Sequence, residues 1–552
     1  MFYKLAEDTD KDIAMFTDKV EQFCSGELDA AHFKHDCATR GIYEQRVDGT
    51  YMFRIRLSGG QFTPQQCQLI GELGAEYGDG YLHMTTRQNV QIQAANIADA
   101  PTVMKRLMPA GLSMRAGGGN TTRNVMTSPF AGICPATPFD ILPYAHAITE
   151  YMLAIPGSYT LPRKYKISIA GSEQDAGYAM ANDLGFVAEL RNDTPGFKVY
   201  AGGGLGARPR AADLIIDWVP ADRVIKIAEA IRRFFDRHGD RTNRAKARLR
   251  YVFERLGLET IKKEINQLTR EVLADDDVPF VLHETELFDV TDDATPLASS
   301  SPNHAHKLTF YRQCQEGLTA VLLDLPHGLI SGNDLIRLAT IAQVLGGPVS
   351  LRATQEQNLL ITHVPELALE ELSDALSGLE FFQQQNHALN RFVACTGAST
   401  CRLGICLSRN VSAAAARALD HAAIPKEILS LIDIRVSGCP NACGGHHLSP
   451  IGAFGTRIRH DGHSLPAYQV VLGAEQRSDG IQLAQPIGKI PARALPDFFV
   501  ALAKDFSTNR ESSETVTCYI HRQGLVHFSE LAEPFAQIPP YDENPEFYTD
   551  WQ

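Results

Sequence analysis

No stretch of this 552-residue chain approaches the roughly 18 consecutive apolar residues of a membrane-spanning helix. The opening MFYKLAEDTDKDIAMF scatters acids and lacks an apolar segment followed by a small-residue cleavage site, so export is not expected. Cysteine is sparse and odd in number, 11 in all, which excludes the dense disulfide framework of a small secreted domain and fits a reducing, cytoplasmic setting. Basic residues are in deficit, 52 Lys and Arg against 65 Asp and Glu, and the formal charge of −13 argues against a general nucleic-acid binder. Any anion site must therefore be local. The ferredoxin run Cys-x2-Cys-x2-Cys is absent, which removes the simplest electron-carrier reading. A dinucleotide site is excluded too, because AGGGLGAR, Ala201 to Arg208, is followed by neither an apolar helix nor the downstream acid such a site needs. With 44% apolar and 21% charged residues, the chain reads as a soluble globular protein of several domains.

Two segments share one plan. YMFRIRLSGGQFTPQQ runs from Tyr51 through a helix to TTRQNVQ, and LTAVLLDLPHGLISGND runs from Leu318 to ATQEQNLL. Each reads as strand, Gly turn, capped helix and short hairpin. Thr63-Pro64-Gln65-Gln66 is a capping-box signature with Pro at the first helical position. Aligned on Gln88-Asn89 and Gln357-Asn358, Arg87 falls opposite Glu356, Gln91 opposite Leu360 and Arg54 opposite Leu322. One copy carries cations and the other does not. Between them, Ala221 to Ala274 reads as helical, and the polar, Pro-containing stretch from Thr291 to His306 reads as a linker.

Four cysteines form two pairs, Cys395-x5-Cys401 and Cys439-x3-Cys443. Structural zinc generally uses Cys-x(2–4)-Cys pairs, so the five-residue gap of the first pair fits poorly, and unligated core cysteine is the bland alternative. That alternative suits Cys24, Cys37, Cys67, Cys134, Cys314, Cys406 and Cys518. It does not suit Cys439-Pro440-Asn441-Ala442-Cys443-Gly444-Gly445, a tight turn of little bulk where backbone amides can face sulfur and a large flat group can come close.

Cations also gather at places suited to a small oxyanion. Arg54 and Arg56 alternate with Phe53 and Ile55 and so share one face of a strand, Lys164 and Lys166 share another, and Arg123 follows the Gly-rich GGGNTTRN. A solvated edge strand would give the same alternation.

The cysteine pattern in its CPNACG setting resembles the sirohaem and 4Fe-4S enzymes of the sulfite and nitrite reductase family, over most of the chain from Tyr51 onward, and most of all the assimilatory sulfite reductase haemoproteins. The resemblance implies an α/β (α+β) fold of pseudo-twofold, duplicated ferredoxin-like halves, 1–115 and 307–385, with two α/β lobes, 116–290 and 386–552, around the linker at 291–306. It implies that Cys395, Cys401, Cys439 and Cys443 hold the cluster, with Cys443 bridging to the sirohaem iron. Arg87, Gln91, Gly203, Gly204 and Asn441 match positions at the sirohaem, and Arg54, Arg123, Lys164 and Lys166 match the cations above its open face. The basic run from Arg232 to Arg255 is a further source of donors or a patch for an acidic partner. His83 stands where sulfite-reducing relatives usually have Arg, whereas nitrite-specific relatives tend to have Asn in place of Lys166. The expected reaction is the six-electron reduction of sulfite to sulfide, with electrons from a separate ferredoxin or flavoprotein. The alternatives are nitrite reduction to ammonia at the same site, and a non-catalytic iron-sulfur protein.

Overall fold

The computed structural model describes residues 2–552 except 173–174, 281–295, 298–307, 384–387 and 478–479. The expected linker lies outside the described residues apart from Pro296–Leu297, a short strand beside Leu308–Arg312. Helices and sheets are mixed throughout.

The two copies recognised in the sequence are two antiparallel sheets that exchange strands. In the first, Ile42–Glu44, Tyr51–Arg56, Asn89–Ala95 and Tyr81–Met84 lie side by side, and the edge is closed by Leu329–Ser331 from the other copy. In return, Gln61–Phe62 of the first copy pairs with Ser350–Ala353 at the edge of the second sheet. The strand carrying Arg54 and Arg56 is thus interior, which rules out the solvated-edge reading.

The helices Pro64–Tyr77 and Gly332–Leu345 start as the sequence indicates. Thr63 and Gln66 form a reciprocal capping box, and Ser331 Oγ accepts from Asp334 N. They meet where neither has a side chain. A Cβ on Gly71 would lie 2.8 Å from the Gly332 carbonyl oxygen, and one on Gly332 would lie 2.6 Å from that of Gly71. One core spans both copies, from Phe53 and Ile70 to Leu335 and Ile361.

The two QN hairpins are built alike. Gln88 and Gln357 both take positive φ, 53° and 67°. Thr85 N donates to Asn89 O and Thr354 N to Asn358 O, each at 2.9 Å. Gln88 Nε2 crosses to Ala353 O in the second copy at 2.9 Å, and Gln357 Nε2 crosses to Met84 O at 3.3 Å. Each glutamine oxygen then accepts from the first strand of a lobe, Thr127 N and Ala394 N respectively, both at 3.0 Å.

The lobes prove to be copies as well. One sheet orders Met126–Thr127, Ile167–Ala170, Leu184–Arg191, Thr194–Ala201 and Asp213–Pro220; the other orders Phe392–Ala394, Ile434–Ser437, Ile451–His460, His463–Leu472 and Gln485–Pro491. Both are parallel across the first three strands and antiparallel thereafter. Registers correspond too: Thr127 faces Ile169 as Ala394 faces Val436, and Ile167 faces Leu184 as Ile434 faces Ile451.

The cysteines left as core residues divide. Cys37, Cys67 and Cys406 are buried, Cys134 and Cys314 are half-buried, and Cys24 and Cys518 are exposed on helices, contrary to expectation. Either exposed thiol occupies a helical position where nothing demands burial. No described helix is long and apolar enough to cross a membrane.

Candidate functional site

The site forms where the first hairpin meets both lobes. Thr86 Oγ1 at the hairpin tip donates to Cys443 O at 2.7 Å, and Arg87 Nη1 and Nη2 reach Asn182 Oδ1 at 2.9 Å and Ile167 O at 3.1 Å in the first lobe. Arg54, paired in register with Gln91, takes the place of Leu322 paired with Leu360 in the second copy. Its Nη1 donates to Gly117 O at 2.6 Å, and the Gln91 amide oxygen accepts from its Nη2 at 2.9 Å.

The Gly-rich loop wraps around these cations. Arg123 Nη1 donates to Gly117 O at 3.2 Å and Nη2 to Gly119 O at 3.0 Å. Tyr43, unmarked by any motif, lies under the guanidinium of Arg54 at 5.6 Å and accepts from Gly119 N at 2.9 Å. Gly118 allows this approach, because a Cβ there would lie 2.3 Å from the Tyr43 hydroxyl oxygen. Burial works to raise the Tyr43 pKa, but Arg123 and then Arg54 outweigh it and hold the phenol below its ordinary value. Arg56, by contrast, is fully buried and spent on Ala116 O and Thr122 O.

Lys164 and Lys166 flank Tyr165 just before the strand Ile167–Ala170. Among the described residues neither ammonium has a hydrogen-bond or ion-pair partner. Burial, then Arg248 and Arg123, push Lys164 down to about 7. Burial, then Arg87 and Lys164, hold Lys166 far below the usual lysine range. Arg123 falls to about 10, chiefly through burial. Cys443 acts on both lysines in the opposite sense, so the cations and the second cysteine pair share one pocket.

Arg248, within the basic run noted in the sequence, is the cation that ties this pocket together. It makes a buried ion pair with Asp183, Nη2 to Oδ2 at 2.8 Å, and Asp183 also accepts from Lys166 N at 2.9 Å. Residues Gly203 and Gly204 sit beside it. A Cβ on Gly204 would lie 3.0 Å from Arg248 Nη2 and Arg250 Nη1, and one on Gly203 would lie 2.4 Å from Met180 O. Elsewhere in the run Arg232 and Arg233 both bind Glu229, whereas Arg237, Arg244 and Lys246 are exposed.

The four cysteines converge. Gly438 N donates to Cys395 Sγ at 3.2 Å, and Cys439 feels the charge of Cys443, Cys395 and Cys401. Burial raises the Cys439 thiol to about 11, against a backbone hydrogen bond from Asn441, whose side chain is exposed. Glycines make the convergence possible. A Cβ on Gly438 would lie 2.5 Å from Gly397 Cα, and Gly397 itself takes φ of 58°. Among the described residues no three His, Cys, Asp or Glu side chains close on a single metal ion. A cluster spreads its thiolates over separate irons and does not need them in one coordination sphere. Cys406 lies apart, donating to Thr456 O and Ala467 O.

His83 is neutral and internal. Its Nε2 lies 2.7 Å from the Gln357 amide, and burial, with Arg409 next, drives its pKa far down.

The family described as "Nitrite and sulphite reductase 4Fe-4S domain" matches residues 118–272, and the "Nitrite/Sulfite reductase ferredoxin-like half domain" matches 43–110. A ferredoxin–nitrite reductase of Synechococcus elongatus is 29% identical, covering 88% of this chain and 93% of the relative. Sulfite reductase [ferredoxin] 1 of Mycolicibacterium paratuberculosis is 27% identical, covering 86% and 82%. The structure of the NirA protein of Mycobacterium tuberculosis superposes with a TM-score of 0.76 at 25% identity, covering 91% of this chain and 92% of that one. By these matches the chain is similar to the nitrite and sulfite reductase family, and the cofactors that this similarity implies are sirohaem and a 4Fe-4S cluster.

Proposed function

We propose that the chain reduces sulfite to sulfide, with six electrons delivered by a separate ferredoxin. The observation that carries the reading is the gathering of Arg54, Arg123, Lys164 and Lys166 with Cys443 in one pocket. An iron-sulfur sensor or scaffold has no use for such a pocket.

The residues present fit both cofactors. Cys395, Cys401, Cys439 and Cys443 are the ligands for the cluster. Arg87, Arg123 and Arg250 each keep a buried Nε without a partner, and Gly203 and Gly204 leave room for a flat group beside Arg248 and Arg250. With Gln91 and Asn441 they form the cradle for the sirohaem carboxylates. When bound, the two cofactors supply the electrons and the centre at which the oxyanion loses its oxygens.

The chain supplies the rest. Arg54 and Arg123 are held by backbone carbonyls of residues 117 and 119, so their remaining N–H groups are pre-aimed at an anion. Lys164, poised at about 7, can give and regain protons at neutral pH. At Lys166, burial and then Arg87 and Lys164 work against the ammonium that a bound anion favours. Tyr43 and the Gly117 to Gly119 loop close the wall behind Arg54.

Sulfite carries more negative charge than nitrite near neutral pH, so an added ammonium at Lys166 favours sulfite by about 1–3 kcal/mol. The second reading is nitrite reduction to ammonia. The Synechococcus relative, a ferredoxin–nitrite reductase, and the strong depression of Lys166 both favour it. Anaerobic kinetics with one artificial low-potential donor decide between them. On the sulfite reading kcat/KM is higher for sulfite, and Lys166→Asn narrows or reverses the preference. A strong preference for nitrite in the unaltered protein would overturn it.

A further inference from the structure

Arg409 lies in the first turn of the helix Ser408–His421, beside the first cluster cysteine. Its neighbour Ser408 binds that cysteine twice, with Oγ 2.7 Å from Cys395 O and 3.5 Å from Cys395 Sγ. The guanidinium has little to hold it. Its one hydrogen bond among the described residues is a long one, Nη2 to His327 O at 3.5 Å, and its Nε is buried without a partner. No described carboxylate pairs with it. The negative groups that act on it are Cys395 first and Asp79 second.

Two other basic side chains share this place, and both are neutral. Burial, then Arg409, pushes His327 down to about 3 and His83 far below its usual range. Burial lowers Arg409 itself only to about 10, so it alone stays charged at neutral pH. A desolvated guanidinium without a partner is costly unless an anion lies nearby. Cys395 provides one as soon as it is a thiolate.

We propose that Arg409 is a fixed counter-charge on the Cys395 side of the iron-sulfur cluster and that it sets the cluster's reduction potential. This rests on the assignment of the four cysteines as its ligands. Reduction adds a negative charge, and a cation held in a poorly solvated position stabilises the reduced state, which moves the potential upward. The Gly438 N–H, which donates to Cys395 sulfur, works in the same sense.

A redox titration of the holoenzyme, followed by the electron paramagnetic resonance of the reduced cluster, tests this. Arg409→Gln shifts the midpoint to a more negative value with iron content and sirohaem absorbance retained, and Arg409→Lys stays close to the unaltered protein. An unchanged midpoint in Arg409→Gln with full iron content overturns the proposal. So does loss of sirohaem absorbance at an unchanged cluster midpoint, which would assign Arg409 to a sirohaem carboxylate. Should Arg409→Gln fail to fold, Asp79→Asn decides: removing the competing carboxylate moves the midpoint positively, and no movement or a negative one refutes it. Absence of any iron-sulfur signal in the unaltered protein would instead overturn the cysteine assignment, and this proposal with it.

Discussion

The affinity of the pocket for nitrite should fall with rising pH, and Lys164 should be the cause. In the anion-free pocket Lys164 has its pKa at about 7, lowered by burial and by Arg248 and Arg123. An anion between Lys164 and Arg123 favours the ammonium and raises that value back toward the ordinary 10.5. The sign follows from linkage. Below about 7 the lysine is already charged and affinity is flat; above it, each anion bound must bring a proton with it, so Kd rises tenfold per pH unit. From pH 7, where half the lysine is already deprotonated, to pH 9 the loss is about 50-fold, or about 2.3 kcal/mol. Nitrite is the suitable probe because its own charge does not change in this range. The assay is titration of the oxidised holoenzyme at fixed ionic strength, read from the absorbance change on binding. Lys164→Met should bind more weakly at pH 6 and show a flat profile between pH 7 and pH 9. A flat profile in the unaltered protein, or an unchanged slope in Lys164→Met, would refute the reasoning.

Asp183→Asn leaves Arg248 buried without its counter-charge and should cost about 3–5 kcal/mol of stability, measured by denaturant unfolding. Gly71→Ala puts a methyl against the Gly332 carbonyl and should cost about 1–3 kcal/mol in the same experiment, with activity per folded molecule unchanged. Cys443→Ser should abolish the iron-sulfur signal, whereas Cys134→Ser, altered at the position corresponding to Cys401 in the other lobe, should keep iron content at the unaltered level.

Much of this was legible because it is local. The capping box at Thr63 and Gln66, the hairpins at Gln88 and Gln357 and the helix over the Ala-rich run Ser408–His421 each follow from a few neighbouring residues. The alternation of Arg54 with Phe53 and Ile55 also gave the right strand, but not its place in the interior of the sheet. What stayed hidden depends on distant segments. The exchange of Gln61–Phe62 for Leu329–Ser331 joins strands that no local pattern links. Tyr43 enters the pocket only because Gly118, far along the chain, lacks a side chain. Arg248 was one basic residue among many until Asp183 singled it out. Even the duplication of the lobes left no sequence signal, since their sheets share register and order but few residue types.

That duplication explains why the chain builds one anion pocket and not two. Corresponding positions in the second half carry the opposite character: Leu322 for Arg54, Asp324 for Arg56, Glu356 for Arg87, Asn390 for Arg123, Leu431 for Lys164 and Asp433 for Lys166. The vacancy is also filled. Tyr178 from the first lobe donates to Glu356, and Arg435 from the second donates to both, at 2.5 Å to the Tyr178 hydroxyl and 3.0 Å to Glu356. Arg435 is itself well buried and ties the second hairpin to both lobes, whereas Arg87 ties the first hairpin to the first lobe alone. The same backbone therefore serves two ends. Where the hairpin carries arginine, the surrounding residues are cations; where it carries glutamate, an internal ion pair joins it to Arg435. Cysteines complete the asymmetry. The loops holding Cys395, Cys401, Cys439 and Cys443 belong to the second lobe, yet the Cys443 turn is fastened to the first hairpin by Thr86, so the four cysteines sit against the copy that carries Arg54 and Arg87.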